Sequence, residues 1–355
     1  MRRVGIPKPD GGHRYLGIPT VADRLIRQAI LQVITPVLDP RFSEASHGFR
    51  PGRSAHQAVA MAQSYVEEGK RWVVDIGIER FFDNVNHDAL MAKVARRVDD
   101  KVLLKLIRAY LKAGVTEGGL VSPPEQGTPQ GGPLSPLLSN SYLDDLDREL
   151  EKRGHSFVRY ADDCNIYVAS ERAGRRVMEG VTRFLQKRLK LRVNPEKSDV
   201  APASKRDFLS FRIVGGENAK RGISKKAKGR FRRRVKDITR RSRGVSLERV
   251  IADLNVYLRG WTGYFGFCQT PSVLRDLDSW VRRRLRCLIW KGWKRGRTRY
   301  AALRARGLGK DLAAITAGSS RSHWRMSASP GMNTAFPNAF FSELGLITLE
   351  ARCSA

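Results

Sequence analysis

The chain has 355 residues, with 66 Lys and Arg against 35 Asp and Glu, for a formal net charge of +31. At 41% apolar residues it can bury a full core, which argues against a disordered basic tail; no apolar run approaches a membrane span, and four scattered cysteines without a CxxC pair argue against a disulfide framework or zinc site. The charge calls for a polyanion, and it is concentrated: residues 221–300 carry a net +19, residues 1–220 only +9 and residues 301–355 only +3.

The opening MRRVGIPKPDGGHRY has no apolar leader, so a soluble, cytoplasmic protein without membrane association is expected. Residues 23–38 place Leu25, Ile26, Ala29, Ile30, Val33, Ile34 and Val37 at helical spacing and predict an amphipathic helix. The loop GFRPGRS, carrying Arg50 and Arg53, leads into a second predicted helix over 55–68. Residues 72–78, WVVDIGI, switch to a period of two. They predict a strand with Trp72, Val74, Ile76 and Ile78 on one face and Val73, Asp75 and Gly77 on the other. Helical patterns return over 87–98 and 101–113, the Gly/Pro-rich stretch 118–136 reads as loop, and 137–150 reads as helix. FVRYADDCNIYVA at 157–169 predicts a hairpin with Asp162 and Asp163 at its turn, and 174–189 predicts one more helix on the same sheet. This alternation is α+β. Past Val214, GGENAKRGISKKAKGR reads as a linker. Two helices follow, 247–260 capped by Ser246 and 273–293 started by Thr270 and Pro271. On the second, Leu274, Leu277, Val281, Leu285 and Leu288 form the apolar stripe, and Arg282, Arg283, Arg284, Arg286, Lys291 and Lys294 occupy the rest.

Adjacent aspartates at a turn repel unless something neutralises them. A divalent cation held by one or two carboxylates and substrate phosphates is the natural partner, although a bare pair is more often a solvated turn.

The YADD of residues 160–163, with QGGPLSPLLSN at 130–140 and the strand WVVDIGIERFFDNVNHD, resembles the palm of reverse transcriptases. More closely, the chain is similar to the bacterial group II intron-encoded reverse transcriptase/maturase family. The resemblance runs nearly end to end, through IPKPDGGHRYLGIPT, GFRPGRSAHQAV, LRVNPEKS, FLSF, GWTGYF, TPSVLRDLDSWVRRRLRCLIWKGWKR and HWRMSASP. It implies a right-hand polymerase palm with partial fingers, followed by an all-α basic thumb/maturase domain. The implied boundaries are fingers 1–70, palm 71–215, thumb/maturase 216–310 and a carboxyl-terminal tail 311–355. The implied function is RNA-directed DNA polymerase, a magnesium-dependent nucleotidyltransferase, together with an RNA-binding maturase that assists intron splicing and mobility. The alternative is a catalytically inactive RNA-binding maturase or a degenerate remnant. Intron RNA, an RNA template with DNA primer, dNTPs and a second copy of the chain are the implied partners.

The resemblance also assigns roles by position. Lys8 and Arg14 match fingers residues that grip the incoming triphosphate. Phe82 falls at the aromatic gate against a ribose 2′-hydroxyl, and Gln130, Gly131 and Gly132 match the nucleotide and template contact loop. Asp162 and Asp163 match a metal-binding carboxylate and its neighbour, with Mg²⁺ the implied ion, and Lys197 matches a lysine near the leaving pyrophosphate. Residues 208–211 match the primer-supporting turn, with Ser210 where glycine is usual. Arg282, Arg283, Arg284, Arg286, Lys291 and Lys294 become the implied RNA-binding face. Trp261, Tyr264, Trp290 and Trp293 either stack on bases or, as is commoner at helical spacing, fill the core.

The implied chemistry is a two-metal in-line attack of a primer 3′-hydroxyl on a nucleotide α-phosphate, which needs carboxylates from two strands. Counting back from Phe82 and Asp83, the first belongs at position 77, where the chain has Gly77. Asp75 shares that face but lies about 6.6 Å away along the strand, three times a magnesium–oxygen distance of about 2.0–2.1 Å. A second departure is at the start: family members carry further fingers sequence ahead of the equivalent of Arg2. Its lack is expected to weaken template grip and uncover apolar surface.

Overall fold

In the computed structural model, residues 2–7, 13–113, 115–117, 120–122 and 132–350 are described. The chain divides into two compact units, Met1–Leu209 with Ile213–Ala219, and Ser210–Arg212 with Lys220–Ala355.

In the first unit, β1 (Arg2–Pro7) and β2 (His13–Ile18) form an antiparallel pair, from Arg2 opposite Ile18 to Pro7 opposite His13. Helices α1 (Val21–Leu38), α2 (Ala55–Glu67), α3 (His87–Ala95) and α4 (Lys101–Lys112) flank β3 (Trp72–Gly77) in sequence. Each starts at a polar cap: Thr20, a Ser54–Gln57 capping box, Asn86 and Asp100. Then come β4 (Val115–Glu117), β5 (Leu120–Ser122), α5 (Ser135–Lys152), β6 (Ser156–Tyr160), β7 (Asp163–Val168), α6 (Glu171–Arg188) and β8 (Asp199–Pro202). One four-stranded sheet runs β2-β1-β4-β5; the other, β6-β7-β3-β8, is antiparallel throughout. The second sheet is covered on both faces. Val74 and Ile76 join Val181 and Leu185 of α6 in one core cluster, while α2 packs on β6 and β7, with Tyr65 5.6 Å from Tyr167.

The second unit takes β10 (Lys220–Ile223), paired with β9 (Phe211–Val214), and then α7 (Lys225–Ile238), α8 (Leu247–Phe265) and α9 (Pro271–Gly292). Helices α10 (Gly296–Ala305), α11 (Lys310–Gly318), α12 (His323–Met326), α13 (Pro330–Ala335) and α14 (Asn338–Glu343) complete it. Its core is aromatic: Phe231 lies 4.7 Å from Trp261, which lies 4.6 Å from Phe265, and Trp290 is fully buried.

Several expectations are corrected. α1 buries Ile30, Ile34 and Leu38 but leaves Leu25 and Val33 exposed, so only one edge of its apolar stripe meets the core. The stretch read as a loop over 118–136 contains β5, and the stretch read as a linker contains β10 and the start of α7, whose Ala227 and Phe231 supply the apolar anchors. Thr270 and Pro271 take the expected N-cap and first helical positions of α9, but the Thr270 side chain makes no capping hydrogen bond. The carboxyl-terminal tail is helical and packed, with Met332, Phe341 and Leu349 fully buried. Asp278 on α9 accepts hydrogen bonds from the amides of Leu349 and Glu350, which pins this segment.

Leu209 and Ser210 both adopt left-handed backbone, with φ of 49° and 68°. The tight turn expected of a glycine is therefore kept by a side-chain-bearing residue, at a cost of roughly 1–2 kcal/mol. Ser210→Gly is expected to stabilise the protein by about 1 kcal/mol, raising the melting midpoint by about 2–4 °C in calorimetry. An unchanged or lowered midpoint would contradict this.

Candidate active site

The site grows from the end of β3. Register places Asp75 opposite Asn165 and Gly77 opposite Asp163, the first residue of β7. Asp163 therefore belongs to the strand, and the turn is Ala161–Asp162, with Ala161 left-handed at φ 58°. A third element closes the cluster. The Asn194 amide donates to the Gly77 carbonyl at 2.8 Å, and the Gly77 amide donates to Ser198 Oγ at 3.0 Å. Lys197, on the turn between them, is exposed, and its charge reaches Asp163.

The structure thus brings Asp162, Asp163, Lys197 and Gly77 together. Phe82 follows in a 3-10 turn, half-buried with its ring edge-on to Phe81 at 5.3 Å. Lys8, Gln130 and Gly131 lie outside the described residues, as does the side chain of Arg14.

Beneath the turn lies an arrangement that sequence reading missed. Arg159 is fully buried. Its Nε and Nη2 donate to the Asp147 carboxylate at 2.8 and 2.6 Å, Nη2 also to Ser46 Oγ at 2.7 Å, and Nη1 to Asn140 Oδ1 at 2.9 Å and the Ala161 carbonyl at 2.8 Å. Burial works to lower the Arg159 pKa and the Asp147 carboxylate more than offsets it, while burial raises the Asp147 carboxyl against the opposing pull of Arg159. Asn140 Nδ2 donates to the Gly48 carbonyl at 2.8 Å. Gly48 itself presses on the turn: a Cβ there would sit 2.2 Å from the Ala161 amide nitrogen. The GFR loop is therefore a backbone wedge behind the YADD turn, with Arg50 inward on Asp39 at 2.9 Å. The one available signal was a charged residue inside an otherwise apolar strand.

The cluster does not fit a two-metal centre. Among the described residues no group of three or more His, Cys, Asp or Glu side chains could hold a metal ion, and Gly77 offers no side-chain oxygen. Asp75 is held elsewhere: its carboxylate lies 3.8 Å from Arg206, which also pairs with Asp199.

Burial pushes the Asp163 carboxyl up to about 6, aided by the Asp162 charge and opposed by Lys197. Burial likewise pushes Asp75 up to about 6, opposed by Arg206 and aided by Asp163 and Asp199. A carboxyl raised in the folded state binds more protons folded than unfolded. Its contribution to stability is therefore present below about pH 4 and is lost as pH rises to about 6. Asp75→Asn is expected to flatten the fall in stability between about pH 4 and 6, read from urea midpoints across that range. A profile identical to that of the natural chain would refute the assignment.

In the second unit, Arg282, Arg283, Arg284 and Lys291 are half-buried and Lys294 is exposed. Arg286 is turned inward, donating Nε to the Phe336 carbonyl at 2.8 Å, so its charge faces the carboxyl-terminal helices and not a ligand. Trp261 and Trp290 are core, as their spacing favoured, and Trp293 packs on Trp290 and Phe336.

Residues 6–213 match the family described as Reverse transcriptase (RNA-dependent DNA polymerase), and residues 228–307 match the Group II intron, maturase-specific domain. The chain belongs to the group II intron reverse transcriptase/maturase family. Members of the reverse transcriptase family generally use a divalent metal, and this family binds RNA. The chain is 33% identical to Protein YkfC of Escherichia coli over 60% of its own length and 66% of that protein's. It is 40% identical to Group II intron-encoded protein LtrA of Lactococcus lactis over 42% of its own length and 25% of LtrA's. The match thus spans about two thirds of one curated relative and a quarter of the other. The reverse transcriptase fold is shared with apo telomerase from Candida tropicalis, at a TM-score of 0.51 and 12% identity, over 97% of this chain and 66% of that one. No described helix is long and apolar enough to cross a membrane.

Proposed function

We propose that the chain acts on RNA as a group II intron-type RNA-directed DNA polymerase and maturase, a fingers–palm region over 1–70 and 71–215 serving a primer–template and the basic region 216–310 serving intron RNA. The reading is carried by Asp163 opposing the end of β3, with Lys197 beside it. In this reading Lys197 meets phosphate charge at the palm, Phe82 flanks the nucleotide sugar, and Lys8, Arg14, Gln130 and Gly131 contact the incoming dNTP. Mg²⁺ is the ion proposed for Asp162 and Asp163, since carboxylate oxygen is the donor it prefers. Residues 311–355 serve as structural support for the basic region. A cytoplasmic setting and assembly as a homodimer belong to the same reading, and light scattering tests the latter.

Gly77 favours a second reading, an RNA-binding maturase that does not polymerise, because the position facing Asp163 brings no carboxylate and Asp75 on the same strand is engaged by Arg206. Primer extension on an RNA template with Mg²⁺ and dNTPs separates the two, run beside a splicing assay on a group II intron RNA. DNA product from the natural chain supports the polymerase. Splicing assistance without DNA product supports the maturase alone, and neither activity would overturn both.

A further inference from the structure

The second unit holds a cleft of about 630 Å³ that gathers two of the cations singled out in the sequence, Arg284 and Lys291, with residues that were not. Arg232 and Lys236 of α7 and Arg284 and Lys291 of α9 line it, with the indoles of Trp280 and Trp324 among its other walls. The indoles stand 6.5 Å apart at 57°, too close and too tilted to sandwich a ring, so they present one continuous aromatic wall. That wall is fixed: Arg283 donates to the Trp324 carbonyl at 3.0 Å and lies 4.1 Å from the Trp324 ring centre.

The charge is uncompensated. No carboxylate lines the cleft, and among the described residues none of the four cations is paired with one. The neighbouring Asp237 pairs with Arg240 instead. The Arg284 guanidinium is aimed by the buried Thr239, whose Oγ1 accepts from Nε and Nη2 at 3.2 and 3.0 Å. Four unpaired cations in one concave site repel one another, and an anion in the cleft would relieve that repulsion.

The geometry points to a site for one extruded nucleotide of single-stranded RNA, its base against Trp280 and Trp324 and its phosphates against Lys236, Lys291 and Arg232. A phosphate alone has no use for the indole wall, and a duplex base has no free face to give it, so an unstacked nucleotide matches both halves of the cleft. This rests on the RNA-binding function proposed above. The volume lies within the range of small-molecule sites, about 300–1,000 Å³.

The test uses the full chain with three oligomers, a uridine RNA octamer, the same ribose-phosphate octamer without bases and an octamer RNA duplex, and two competitors, inorganic phosphate and uridine monophosphate. The natural chain is expected to bind the base-bearing octamer about tenfold more tightly than the abasic one, the span of a base–aromatic stack. Trp280→Ala is expected to bring the two within about twofold while leaving the salt dependence unchanged. Lys236→Gln with Lys291→Gln is expected to keep the base preference but to lower the slope of log affinity against log salt by about 1.4, at about 0.7 per contact for single strands. Trp280→Phe, which keeps an aromatic face in the same place, is expected to retain most of the base preference, and its loss there as well would overturn the stacking role. Full base preference in Trp280→Ala, duplex binding as tight as single-strand binding, or displacement by phosphate as effective as by uridine monophosphate would each overturn the site. Octamer binding that fails while structured RNA still binds would overturn the site and leave the RNA-binding function standing. No binding to RNA of any kind would overturn both.

Discussion

Arg159→Met is expected to destabilise the first unit by about 3–5 kcal/mol, because it leaves Asp147 charged and unpaired with no exposure to solvent. The same change removes the donor that holds the Ala161 carbonyl, so the aspartates lose their placement even where the fold survives. Amide hydrogen exchange read at β6 and β7 measures the loss, and pairing the change with Asp147→Leu makes it diagnostic. An apolar pair of similar volume avoids the stranded charge and is expected to recover most of the stability. A single variant that loses less than about 1 kcal/mol, or a double variant no better than the single, would show that the network does not carry the turn.

The second large effect is expected at Gly77, and there activity and stability move in opposite directions. Gly77→Asp supplies a carboxylate from the strand facing Asp163. Single-turnover primer extension is expected to rise by on the order of 10²-fold or more, since a bound cation contributes several kcal/mol of transition-state charge stabilisation. The Cβ that comes with it lies 2.9 Å from Lys197 Cβ, so the turn at residues 194–198 must give way. Crowding of this kind typically costs about 1–3 kcal/mol. The variant should therefore melt earlier than the natural chain and extend primers better. Robust synthesis by the natural chain, unchanged by the substitution, would sink the idea that Gly77 limits the chemistry.

The cluster of Asp162, Asp163, Lys197 and Gly77 was legible in the sequence because its parts are local strings. WVVDIGI announces its strand by period, and YADD announces its hairpin by flanking apolar runs. What escaped was long-range. Arg159 reads as an unremarkable strand cation until Asp147, Ser46 and Gly48 arrive from elsewhere in the chain to surround it. Trp280 and Trp324, 44 positions apart, form one wall only after α12 packs on α9. The aromatics that drew notice in the sequence, Trp261 and Trp290, proved to be core. The linker was misjudged because glycine and charge dominate residues 215–230, while Ala227 there and Phe231 just beyond find apolar partners only in the folded unit.

The clasp between Asp278 and the amides of Leu349 and Glu350 has a consequence in time. During synthesis α9 leaves the ribosome about 70 residues before the amides that satisfy Asp278. Asn255 on α8 waits still longer for Ile347, 92 positions later. The palm sheet, built from residues before 203, is complete while these groups still lack their partners. The basic unit thus cannot close until residues 345–350 have emerged, later than the sheet of the first unit.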